Sequence, residues 1–149
     1  MRLRIELVPS SSWGDNLRDG MKIKRGEWEL LKRGCFEAAG YKCEVCGGVG
    51  RKHPVECHEE WSYDEGEGVQ KLVRLVALCP MCHRAKHIGH TLYVLGGGVA
   101  EAVLRHIGRV NGQTEGEVME MVVEAFGVHQ RRSSRSWEVD VSNLFKFGG

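Results

Sequence analysis

The chain has 149 residues, 42% of them hydrophobic and 28% charged, the size and make-up of one soluble globular domain. No run of about 18 apolar residues occurs, so a membrane-spanning helix is excluded and no membrane partner is expected. The 21 basic and 20 acidic side chains leave a net charge of +1, too balanced to announce a phosphate-binding surface by charge alone.

The opening residues MRLRIELVPS break their apolar run with charges and lack a secretory core. A cytoplasmic setting is therefore expected, where cysteines stay reduced. Leu3 to Val8 alternates and predicts a short strand ending at Pro9. Ser10 to Gly20 is polar and turn-rich. From Glu27 to Ala39, Trp28, Leu31, Cys35 and Ala38 recur at helical spacing, and Gly40 is placed to cap that helix. Val55–Tyr63 and Val69–Leu78 predict an antiparallel hairpin turning at Gly66–Gly68. Cys82 to Ile88 opens a helix, Gly96–Gly98 breaks the chain, and Val99 to Val110 is helical up to Asn111-Gly112. Thr114-Glu115-Gly116-Glu117 has the form of a capping box that starts another helix through Phe126. Trp137 to Val141 alternates again as an edge strand. These elements predict an α+β fold over residues 1–149.

Cys43-x2-Cys46 and Cys79-x2-Cys82 form two turns that each offer two thiolates, enough together for one tetrahedral zinc ion. Gly47, Gly48 and Pro80 suit such turns. The gap between the pairs has room for the hairpin. Cys35 falls on the apolar helix face and is expected in the core, while Cys57 is assigned neither way.

His83 and His87 are four residues apart, which on a helix places both imidazoles on one face, where they can share a metal. The zinc-bound Cys82 fixes the start of that helix. His58, from the hairpin, would complete a three-imidazole site open to phosphate and water, the kind of site that serves hydrolysis. His53, His90, His106 and His129 have no such setting. Trp61 and Tyr63 are expected to pack on the hairpin, and Asp64 to sit in its turn. Acidic groups crowd between Glu56 and Glu67. Basic ones cluster at Lys22, Lys24 and Arg25, at Lys32 and Arg33, and at Arg131, Arg132 and Arg135.

The segments CEVCGG, VECHEEWSYDE and LVALCPMCHRAKH together resemble the HNH endonuclease family in its four-cysteine form. The resemblance covers residues 41–90 and implies a ββα-metal core with a separate four-cysteine zinc site. An N-terminal strand and helix and a helical extension over 91–149 would flank that core. It further implies a metal-dependent endonuclease acting on DNA phosphodiesters. Two alignments stay open. One makes His58 the general base with Cys57 as ligand; the other makes His58 a ligand with Glu59 as base. The family's Asn falls at Arg74, which could instead contact the scissile phosphate. Mg²⁺ or Mn²⁺ is the expected catalytic ion, although three imidazoles would also take Zn²⁺ or Ni²⁺. Two other readings use the same residues. One is a zinc-stabilised nucleic-acid or protein binding module without a catalytic base. The other is a regulator whose histidines sense an ion.

Overall fold

The computed structural model describes residues 2–13 and 23–144; Lys22 and most of the polar segment 10–20 lie outside the described residues. The first helix, α1 (Arg25–Ala38), runs over the expected residues. It stops at Gly40, whose φ of +63° is free of strain only without a Cβ. There the Tyr41 N–H donates to Phe36 O and the Gly40 N–H to Glu37 O, which satisfies the last carbonyls.

The hairpin forms as the alternation predicts. β1 (Glu56–Asp64) pairs antiparallel with β2 (Val69–Leu78). The register slips by one between Glu60 and Trp61, because Glu60 faces Arg74 while Trp61 faces Leu72, leaving Val73 as the extra residue. That bulge turns Leu72 onto the same face as Leu75. Trp61, Leu72 and Leu75 then form one buried cluster, against which Trp28, Leu31 and Cys35 of α1 pack.

The opposite face, carrying Val76 and Leu78, packs against everything that follows. α2 (Pro80–Lys86) leaves the strand at once, with Pro80 at its first turn, where a missing N–H costs nothing. His87 interrupts the helix, a short α3 (Ile88–His90) continues it, and a π-helical turn spans Thr91–Leu95. α4 (Gly97–Asn111) and α5 (Glu115–Ser133) complete that layer, burying Val103, Ile107, Val118 and Val122. The capping box at Thr114 is present, with Glu117 N–H donating to Thr114 Oγ1 at 3.2 Å. The glycine break is narrower than expected. Gly96 and Gly97 make the turn with φ of +57° and +52°, α4 is counted from Gly97, and Gly98 lies within it. β3 (Glu138–Asp140) adds to β2 in parallel, giving the order β1-β2-β3. The result is an α+β fold with helices on both faces of a three-stranded sheet.

Two expectations need correction. Leu3–Val8 forms no strand. Leu3 and Ile5 are buried as the alternation requires, but Asn111 takes the place of a strand partner. Its Oδ1 accepts from Leu3 N and its Nδ2 donates to Leu3 O, both at 2.8 Å. The last long helix runs to Ser133 rather than Phe126 because its final turn is tied to the hairpin tip. Arg132 donates to Glu65 at 3.0 Å and stacks 4.4 Å from the Tyr63 ring centre.

Candidate metal centres

The first cysteine turn folds around its own sulfurs. Cys46 N–H points at Cys43 Sγ (3.5 Å) and Gly48 N–H at Cys46 Sγ (3.4 Å), while Gly47 takes a φ of +75°. The turn docks on the end of β2, where Glu44 N–H donates to Ala77 O at 2.9 Å and Ala77 N–H donates back to Glu44 Oε2 at 2.6 Å. The second turn caps α2, with Cys82 N–H donating to Cys79 Sγ at 3.4 Å. The docking brings all four thiols within 4.8 Å of one another.

Zinc–sulfur bonds of about 2.3 Å in a tetrahedron place sulfurs roughly 3.8 Å apart. Cys46 and Cys79 Sγ lie 3.6 Å apart, so the donor set fits a metal ion such as zinc. Hydrogen bonds from Cys79 and Cys82 pull the Cys43 thiol far below its ordinary range. The same sharing pushes Cys79 up to about 11 and Cys82 further. His106, from α4, adds a contact of 3.2 Å between its Nε2 and Cys82 Sγ.

The second cluster is the histidine triad. His58 on β1, His83 on α2 and His87 at the end of α2 bring one ring nitrogen each within 4.8 Å of the others. His83 Nε2 and His87 Nε2 are 3.1 Å apart, and the His58 ring centre lies 5.3 Å from each of theirs. Two nitrogens on one ion at about 2.05 Å would stand roughly 3.3 Å apart, so three imidazoles here fit a divalent cation. Burial, then the neighbouring imidazoles, hold His58 well below its usual pKa. The same causes bring His87 down to about 4. Both rings are therefore neutral at physiological pH, the form that coordinates metal.

Sequence reasoning missed the group that orients this triad. Glu56, two residues before His58 and on the same strand face, contacts His83 Nδ1 through Oε2 and His53 Nε2 through Oε1 at 2.9 Å. With Nδ1 donating to the carboxylate, Nε2 of His83 is the nitrogen left for a metal. Burial raises the Glu56 carboxyl, but the two imidazoles outweigh it and leave it below its ordinary value. The strand alternation was the available signal. His106 carried none, being 24 residues from its sulfur partner.

β1 is an edge strand, so side chains from both of its faces border the sheet's open side. His58 and Glu59 consequently line the same cleft, together with His83, His87 and Lys86, in a volume of about 840 Å³. Cys57 contacts Cys35 of α1; that hydrogen bond and burial drive the Cys57 thiol far above its ordinary value. Cys57 is not among the ligand-competent residues at the triad. Arg74 lies on β2 and does not line the cleft. Its Nε donates to Glu60 (2.9 Å) and its Nη1 to Glu44 (3.1 Å), tying the hairpin to the first cysteine turn. Trp61 is 7% exposed and belongs to the core. At the other end of the hairpin, Arg131, Arg132 and Arg135 all engage Glu65.

No known family model, curated protein or solved structure matches the chain.

Proposed function

We propose that the protein is a metal-dependent endonuclease that hydrolyses DNA phosphodiester bonds at an HNH-type site. The observation that carries this reading is the histidine triad, oriented by a carboxylate and open to a cleft, on a hairpin and helix stapled by four cysteines. Cys43, Cys46, Cys79 and Cys82 hold a zinc ion whose work is to fix where α2 begins. His58, His83 and His87 would hold the reactive ion, Mg²⁺ or Mn²⁺, or the Zn²⁺ or Ni²⁺ that imidazole donors also take, and when bound it would offset the charge that develops on the phosphate.

Of the two alignments, geometry favours His58 as a ligand, because its ring stands against His83 and His87 while Cys57 packs with Cys35. Glu59 then has the role of general base. It lines the same cleft from the other face of β1 and would accept the proton of the attacking water across the strand edge. Lys86 supplies a fixed positive charge beside them. Arg74, shared between Glu44 and Glu60, acts as a positioning residue that holds the cysteine turn against the hairpin.

The test is nicking of supercoiled plasmid by purified protein with Mg²⁺ or Mn²⁺. Nicking by the wild type that disappears in His58→Ala and Glu59→Gln is the expected result. A wild type inert across divalent metals would turn the assignment toward a zinc-stabilised binding module.

A further inference from the structure

The cleft is far larger than a phosphate and a water need. At about 840 Å³ it falls within the range of pockets that enclose whole small molecules. Its composition is divided. The triad and Lys86 line one part, Glu59 enters from the other face of β1, and Trp13, Trp28, Tyr93 and Phe126 supply aromatic lining. Tyr93 and Phe126 meet edge to face at 5.9 Å, and Tyr93 is 81% exposed, as is much of Trp13 at 68%. Exposed aromatic rings at a cleft wall are what a planar ligand stacks on.

Two polar side chains at this cleft have groups without a hydrogen-bond partner among the described residues. Lys86 is only 8% exposed and makes no hydrogen bond or close ion pair with any described residue; the Glu6 and Glu60 carboxylates stand at longer range. Burying an ammonium this deeply without a hydrogen-bonded partner is costly, and an anion in the cleft would relieve it. Gln70 is 1% exposed, borders the same cleft, and leaves its Oε1 without a hydrogen-bond donor. An N–H donor is the complement to that oxygen.

From the nuclease reading, on which this inference rests, we infer that the cleft seats one unstacked nucleotide, so that the substrate is a single-stranded or locally opened DNA strand. The phosphate lies between the triad and Lys86. The base leaves its stack and lies among Trp13, Tyr93 and Phe126, where its ring nitrogens and exocyclic amines supply N–H donors. A fully stacked duplex presents only phosphates and base edges to such a cleft and leaves the aromatic wall unused.

The experiment is fluorescence anisotropy with a labelled mixed-sequence 12-nucleotide single strand and a hairpin duplex of the same sequence. It is run on the zinc-loaded full chain without added divalent metal, at several salt concentrations. The wild type is expected to bind the single strand at least tenfold tighter than the duplex. Tyr93→Ala, an exposed position that leaves the fold intact, should weaken single-strand binding about fivefold or more and leave duplex binding unchanged. Lys86→Met should weaken the single strand and reduce its salt slope by about one phosphate contact. Equal or tighter duplex binding, or a Tyr93→Ala protein with unchanged single-strand affinity, overturns the inference. Binding of neither strand does so as well. Duplex preference in a protein that still nicks plasmid sinks the cleft assignment and leaves the nuclease standing. Single-strand preference without cleavage under any metal sinks the nuclease and keeps the cleft.

Discussion

Replacing Glu56 with Ala tests whether the triad is pre-organised. Glu56 has two imidazole partners of different worth. The His53 contact lies at the surface, with the His53 side chain 54% exposed, so solvent screening leaves it little energy. The His83 contact is more enclosed and fixes which ring nitrogen faces His87. Losing a carboxylate behind a metal-binding histidine typically costs about 10–100-fold in metal affinity. That corresponds to roughly 1.4–2.7 kcal/mol. Calorimetric titration of Mn²⁺ into zinc-loaded protein should show this loss in Glu56→Ala. His53→Ala, which removes only the exposed partner, should change the affinity less than about twofold. If Glu56→Ala binds Mn²⁺ as the wild type does, the carboxylate does not orient His83 and the account of the site is wrong.

Asn111→Ala removes both hydrogen bonds that hold Leu3 in the core and should destabilise the chain by about 2–3 kcal/mol, read from urea melts. Ile107→Ala opens a cavity at a fully buried position in the core that α4 shares with α2 and α5, and about 2–5 kcal/mol should be lost in the same melts. Cys79→Ala takes a sulfur from the cage and the cap from α2; circular dichroism should show loss of the folded state, reproduced in the wild type by a strong zinc chelator. Arg74→Ala should lower the melting temperature by a few degrees while the nicking rate at saturating substrate stays within a fewfold of wild type. A far larger rate loss at unchanged stability would return Arg74 to the scissile phosphate.

Much of this arrangement is legible in the residues because the responsible patterns are local. The hairpin follows from period-two alternation in Val55–Tyr63 and Val69–Leu78, and the end of α1 from Gly40. The CxxC spacings specify two turns that can meet, and the hairpin between them brings them together. Contacts decided by distant partners were not legible. Leu3–Val8 has the pattern of a strand, but a side chain 108 residues away satisfies Leu3 instead. The Glu65–Arg132 link that prolongs α5 spans 67 residues. His106 and Lys86 gain their settings only once α4 and the cleft exist. The bulge at Val73 is also silent in sequence, yet it is what lets Leu72 join Trp61 on the α1 face while Glu60 and Arg74 stay on the other.

The division of labour between the two clusters is tested most directly by counting divalent ions per folded chain. Native mass spectrometry of protein equilibrated with zinc and Mn²⁺ should give two bound ions in the wild type, one of them resistant to dialysis. His87→Ala should remain folded and retain the zinc alone. A His87→Ala protein that still carries two ions, or a wild type that never exceeds one, would contradict the account.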